Sequence, residues 1–225
     1  MWNSAYALGQ ETLSTCSYHD SYVVSNQAND AGAVKTYPNV HKDNADVPLS
    51  SFSTMTSTFA ATSPHVGIYN VAYDIWANGV ATDGSTEIMI WTENFNQVSA
   101  GSRAATASLG GRSYDVWTTS NNGYIAFVPS VPLTSGTLDL LEIFDFTLAQ
   151  GWLPAESTLG QICFGVEIVA CPCQKLIRAG ITLRLERIGG EARRPREARP
   201  VLPNNSKSQP NWPSIAPGRH VSETG

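Results

Sequence analysis

Asn78-Gly79, Asp83-Gly84, Gly110-Gly111 and Asn121-Asn122-Gly123 cut the middle of the chain into short runs rich in Val, Ile, Tyr, Thr and Trp. Pairs such as Asn-Gly and Asp-Gly supply the positive φ angles of tight turns between antiparallel strands, and β-branched and aromatic side chains suit a pleated surface. The first 170 residues therefore read as β throughout. Strands are predicted over 22–26, 32–37, 49–59, 67–76, 86–92, 105–109, 112–119, 123–129 and 161–169. One segment breaks the rhythm. In "SGTLDLLEIFDFTLAQGW", residues 135–152, Leu138, Leu141, Ile143 or Phe144, and Leu148 recur at helical spacing, and Gly151 is placed to stop the helix. Many strands and one helix predict an all-β, two-sheet sandwich of the jelly-roll type.

The 225 residues suffice for one large domain, and at 42% hydrophobic they can fill a sizeable core. Charged residues are only 15%, below the usual quarter. Ser, Thr, Asn and Gly fill the gap, a texture that suits an extracellular β protein. Charge divides the chain. Residues 1–170 hold 15 acidic and four basic side chains; residues 171–225 hold ten basic and four acidic ones. An acidic body argues against nucleic acid as a partner. The basic, Pro- and Arg-rich remainder is expected to be largely disordered from about Gly189, and its Asn204-Asn205-Ser206 sequon reads as a chance match. Cys171 and Cys173 are too close for an easy mutual disulfide, and a single C-x-C pair is a weak metal signal. No run of 18 apolar residues predicts a membrane span, and no signal peptide is visible. His19, His41 and His65 show no metal-ligand spacing, so neither metal nor cofactor is expected.

The stretch "STEIMIW", residues 85–91, is unusual for a strand. Alternation sends Ile88 and Ile90 to one face and Glu87, Met89 and Trp91 to the other, with Glu93 continuing the second row. One face is ordinary core. An acid, a thioether and an indole in line make a plausible floor for a ligand groove. Taken with "FGVEI" (164–168), this row resembles glycoside hydrolase family 12. "GAVKTYPNV" (32–40), "GIYNVAYDIW" (67–76), "NNGYIAFVP" (121–129) and "QGWLPAESTLGQICFGVEI" (150–168) sit in that family's order and approximate spacing, so the resemblance covers residues 2–169.

The resemblance implies a concanavalin-like jelly roll with an open substrate cleft on its concave sheet, and retaining hydrolysis of internal β-1,4-glucosidic bonds. Such chemistry needs a nucleophilic carboxylate and an acid/base carboxyl about 5–5.5 Å apart. Glu87 matches the family's nucleophile, Glu167 its acid/base, and Asp74 the residue that hydrogen-bonds the nucleophile. Glu87 is then expected to be ionised and Glu167 protonated before the first step. Gly165, beside Glu167, is expected to leave room for a sugar ring. Trp2 matches a stacking tryptophan; Met89 and Trp91 join it as substrate contacts, with Tyr124 and Phe127 as weaker ones. Trp76, Trp117 and Trp152 read as packing residues. The implied partner is a β-glucan, whether cellulose, mixed-linkage glucan or xyloglucan, with no nucleic acid and no membrane, and the chain is expected to be an extracellular monomer.

Two departures from the family pattern stand out. The family carries an extra stretch before Trp2, whose cysteine pairs with the one matched by Cys16, so Cys16 is expected to be unpaired and the domain N-terminally truncated. After "GVEI" the family adds a last long strand. Here residues 171–225 follow as an atypical basic tail, setting the catalytic domain at 1–170. "AGITLRLERI" (179–188) alternates, but its Arg and Glu suit only a solvated edge. A sandwich lacking its last strand exposes a neighbour's edge. The alternative to an endoglucanase is thus a non-catalytic glucan-binding sandwich, or an inactive truncated or frame-shifted family member.

Overall fold

The computed structural model describes residues 2–5, 9–17, 19–28, 32–171 and 175–188. Among these residues thirteen strands and one α-helix follow in chain order: β1 (Trp2–Ala5), β2 (Gly9–Ser17), β3 (Asp20–Gln27), β4 (Thr36–Pro48), β5 (Phe52–Thr62), β6 (Ile68–Ala77), β7 (Thr86–Phe95), β8 (Ser102–Leu109), β9 (Arg112–Thr118), β10 (Tyr124–Pro129), β11 (Ser135–Asp139), α1 (Leu140–Ala149), β12 (Thr158–Ala170) and β13 (Lys175–Arg187). They form an eight-stranded sheet, β1-β4-β12-β6-β7-β10-β9-β8, and a five-stranded sheet, β11-β5-β13-β3-β2. The fold is the expected two-sheet sandwich with a single helix.

The core lies between the sheets. Tyr73 of β6 and Phe164 of β12 meet at 4.6 Å between ring centroids, and Phe59 of β5 reaches both from the other sheet. The Tyr73 hydroxyl lies 2.8 Å from Ser57 Oγ, satisfying a polar tip inside the apolar layer. Leu140, Leu141, Ile143 and Phe144 of α1 join this core. The helix is shorter than its sequence suggests. Residues 135–139 pair with β5 as a strand, and Asp139 caps the helix by accepting hydrogen bonds from the backbone N–H groups of Leu141 and Glu142. It ends at Ala149, with Gly151 at φ 70°.

β4 runs well past the predicted 32–37, because its second half is polar and exposed and carries no strand signal. The larger difference is β13. It is no solvated edge: it pairs with β3 on one side and β5 on the other, in the middle of its sheet. Ile177, Ala179 and Ile181 enter the core while Arg178, Arg184 and Glu186 face outward. Arg178 forms a two-pronged ion pair with Asp20 of β3, at 2.8 and 2.9 Å. The exposed charges that suggested an edge belong to the solvent face of a central strand. The sequon and the stretch from Gly189 onward lie outside the described residues.

Candidate active site on the outer face of the large sheet

The eight-stranded sheet carries a second, smaller apolar cluster on the face turned away from the core: Ala72, Met89, Trp91 and Ala126, with Trp117, Tyr124 and Val128 packed around it. Strand register decides which polar groups share that face. On β7, Glu87 lies opposite Trp76 of β6, Met89 opposite Asp74, and Trp91 opposite Ala72. On β12, Cys163 lies opposite Asp74, Gly165 opposite Ala72, and Glu167 opposite Asn70. Tyr124 of β10 stands beside Glu87. The three predicted acids thus sit on three adjacent strands, in a diagonal line with Asp74 in the middle.

Each acid has its own surroundings. Glu167 Oε2 accepts from Asn70 Nδ2 at 2.6 Å and from Gln97 Nε2 at 3.1 Å. Asp74 is only 7% exposed, and its Oδ1 has no hydrogen-bond partner among the described residues. The Tyr124 hydroxyl donates to Met89 Sδ at 3.4 Å and lies 3.3 Å from Ser99 Oγ. Of six buried side-chain polar atoms without a partner among the described residues, four are on or beside this face: Asn70 Oδ1, Asp74 Oδ1, Trp91 Nε1 and Gln97 Oε1. Buried polar groups are ordinarily satisfied, so this concentration marks a surface shaped for a polar ligand.

Electrostatics bind the acids into one unit. Burial is the first cause of an upward pKa shift in all three. Glu87 is pushed up to about 7 by burial and then by the charge of Glu167. Asp74 rises well above the carboxylate range through burial and the charges of Glu87 and Glu167, while the Trp76 indole N–H works against that rise. Glu167 is raised by burial, but the Asn70 and Gln97 amides favour its charged form. Burial thus opposes charge on both carboxyls, with two amide donors working against it at Glu167 and the charge of Glu167 adding to it at Glu87.

Other sequence expectations fare differently. Met89 and Trp91 form the floor of this face, almost wholly buried. Trp2 pairs through its backbone with Asn39 of β4, and its side chain lies outside the described residues. Phe127 is no substrate contact. It is fully buried in the main core, edge-on to Tyr114 and Phe146, because it stands an odd number of residues from Tyr124 and alternation turns it inward. Glu93 leaves its row as well. The β6–β7 register shifts between Val71 and Ala72, so Glu93 pairs with the core residue Val71. It turns to the inner face and bonds Ser63 Oγ and His65 Nε2, each at 2.6 Å. A bulge inserts one residue and reverses the side-chain sense beyond it. Gly165 does not open space for sugar. A Cβ there would meet Pro38 O at 2.2 Å and Asn39 Cβ at 2.7 Å, so the missing side chain admits β4 instead.

Trp152 packs on the core through Phe146. Trp76 and Trp117, read as packing residues, lie on the acidic face, Trp76 directly opposite Glu87. Asn70 and Gln97 went unrecognised. Alternation within "YNVAYD" places Asn70 on the face of Asp74; Gln97 is in a loop and carries no such signal. Among the described residues Cys16 is an exposed free thiol. His19 and His41 bond neighbouring protein atoms.

Comparison with known proteins supplies the family. The profile described as glycosyl hydrolase family 12 matches residues 1–177. Endoglucanase S of Pectobacterium parmentieri is 29% identical over 162 residues, covering 60% of this chain and 61% of that protein. A probable xyloglucan-specific endo-beta-1,4-glucanase A of Aspergillus flavus is 27% identical, covering 71% of this chain and 69% of its own length. The chain thus spans about three fifths of the length of the first curated relatives it matches. Among solved structures, the xyloglucanase domain of NopAA, a type three effector from Sinorhizobium fredii in complex with cellobiose, superposes with a TM-score of 0.68 at 25% identity, over 82% of this chain and 92% of that one. Endoglucanase cel12A from Rhodothermus marinus gives 0.66 at 25% identity, over 74% and 82%. The acids on their shared face, the sandwich beneath them and a profile match over most of its length make this chain a member of glycosyl hydrolase family 12.

Proposed function

We propose that the chain is a retaining endo-β-1,4-glucanase acting on a β-glucan of the cellulose or xyloglucan class, outside the cell where such polymers occur. The single observation that carries this reading is the set Glu87, Asp74 and Glu167 on one face of three adjacent strands, each raised by burial and two of them also by a neighbouring acid's charge. Burial and like charge keep part of a carboxylate set protonated near neutral pH, which a reaction using both an acid and a base requires. The aromatic floor and the four unpartnered polar atoms suit a sugar, with its apolar CH faces and many hydroxyls.

In this mechanism Glu87 attacks the anomeric carbon. The bond to the leaving oxygen breaks as Glu167 gives that oxygen its proton. Glu167 then takes a proton from water, whose oxygen displaces Glu87 from the anomeric carbon and restores the original configuration. Asp74, kept neutral by its surroundings, can donate a hydrogen bond to the Glu87 carboxylate. Relatives named as endoglucanases and as xyloglucan-specific enzymes support the substrate class.

The non-catalytic alternative rested on a truncated start and a missing last strand, and β13, paired between β5 and β3, speaks against the second of these grounds. The test is reducing-sugar release from carboxymethyl cellulose and from xyloglucan, with Glu87→Gln and Glu167→Gln in parallel. Both variants should fall by on the order of a thousandfold, and the first product seen by NMR should be the β anomer. Full activity in either variant, or an α anomer formed first, overturns the assignment.

A further inference from the structure

Two side chains from separate parts of the chain converge on one oxygen of Glu167. Asn70 Nδ2 comes from β6 and Gln97 Nε2 from the loop after β7, and both donate to Oε2. Neither is placed casually. Asn70 is fully buried. Gln97 is locked by Asn94, whose Oδ1 accepts from the Gln97 backbone N–H at 2.9 Å and whose Nδ2 donates to the Gln97 carbonyl at 2.7 Å. The loop is pinned further by Asn96, which sits at φ 61° and donates to the Gly67 carbonyl. At its end, Gly101 has φ 78° and lies so near the Thr118 carbonyl that a Cβ would come within 2.1 Å of it.

We infer that Asn70 and Gln97 are positioning residues that make Oε2 the charge-bearing oxygen of Glu167 and leave Oε1 as the oxygen that carries and delivers the proton. An oxygen already accepting two N–H donors is a poor site for a proton. As Oε1 gives its proton up, the negative charge that develops on the carboxyl is met on Oε2 by dipoles already in place, and such preorganised donors stabilise a transition state without reorganisation. The inference rests on the reading of Glu167 as acid/base. Titratable groups that feel its charge are Glu87 on β7, Asp74 on β6, Tyr37 on β4 and Tyr124 on β10. None is altered by changing Gln97.

The experiment compares two substrates by kcat/KM: an unactivated cello-oligosaccharide, whose leaving oxygen needs a proton, and dinitrophenyl β-cellobioside, whose leaving group departs without one. Gln97→Leu, in the half-buried loop, should lower the first by about tenfold more than it lowers the second, the scale of one charge-assisted hydrogen bond. The basic limb of the pH profile should move upward, because a donor that favoured the charged form is gone. Asn70→Leu, judged on the fraction that folds, should act in the same direction. Equal losses on both substrates with an unmoved basic limb would reduce the clamp to a structural role and overturn the inference. Glu167→Gln is the reference. If it too fails to separate the two substrates, the acid/base reading itself falls and takes the inference with it.

Discussion

Asp74 is the residue whose protonation most shapes the site. It lies on β6 between the levels of Glu87 and Glu167, and burial plus two neighbouring acids hold it neutral well above the ordinary carboxylate range. A neutral acid can be imitated by an amide. Asp74→Asn keeps a donor of the same shape, so its kcat should fall only by about tenfold. Asp74→Val removes the donor and should fall by about a hundredfold or more. Assays of both variants on carboxymethyl cellulose check the order, and equal losses would deny Asp74 a hydrogen-bonding role. The two acids of the proposed reaction should also share their titration, giving a bell-shaped profile whose limbs belong to the pair and sit above the range of isolated carboxyls. Much of this was legible one residue at a time, because alternation puts Glu87, Met89 and Trp91 on one face whatever the partner strands do. Phe127 was within reach of the same rule, since a residue three beyond Tyr124 must face the other way. Glu93 was not. Its face depends on a bulge against β6, a property of the pairing between two strands rather than of either sequence.

β13 shows the same limit for whole elements. Its alternation is plain, with Ile177, Ala179 and Ile181 against Arg178, Thr182 and Arg184, yet nothing in it says whether a strand has one neighbour or two. That is decided by β3 and β5, which take up both of its edges. Two consequences are measurable. A chain ending at residue 174 leaves facing edges of β3 and β5 unpaired and the Ile177 and Ile181 sites empty. It should lose its cooperative thermal transition by circular dichroism and calorimetry. A subtler probe is Gly180, where a Cβ would come within 2.0 Å of the His19 carbonyl oxygen. Gly180→Ala forces the strand away from that oxygen and should cost about 1–3 kcal/mol in urea unfolding. Activity per folded molecule should hardly change, since the acids lie on the other sheet. β11 was hidden differently. The helical spacing of 135–152 was real from Leu141 onward, but its first residues continue a sheet until Asp139 turns the chain and caps the helix.

At the scale of the molecule, one sheet serves two demands. Its inner face is packed against the second sheet, and its outer face holds three acids at a density that opposes their ionisation. The cost should be visible in stability as a function of pH. Glu87 has its pKa raised in the folded state from 4.5 to about 7. A raised acid binds its proton more tightly when folded, so its stabilising contribution is complete below pH 4.5 and is lost as pH climbs through about 7. Asp74 and Glu167 shift in the same direction and add to the trend. Asp20 and Glu186 shift downward through their arginine partners, but both are exposed and screened; His41, lowered by burial, works against the trend below about pH 6.5 but is one partly buried group against three raised acids. The folded chain should therefore lose stability between about pH 4.5 and 8, with the shift at Glu87 accounting for about 3 kcal/mol. Glu87→Gln cannot ionise, so its thermal midpoint should be nearly that of the wild type at pH 4.5 and several degrees above it at pH 8, in a protein that has lost its activity. Midpoints for both proteins across this range, read beside carboxymethyl cellulose assays, check both halves. A wild type that grows more stable toward pH 8, or a variant that follows it in parallel, would mean that the acids on the outer face are not held against their charge.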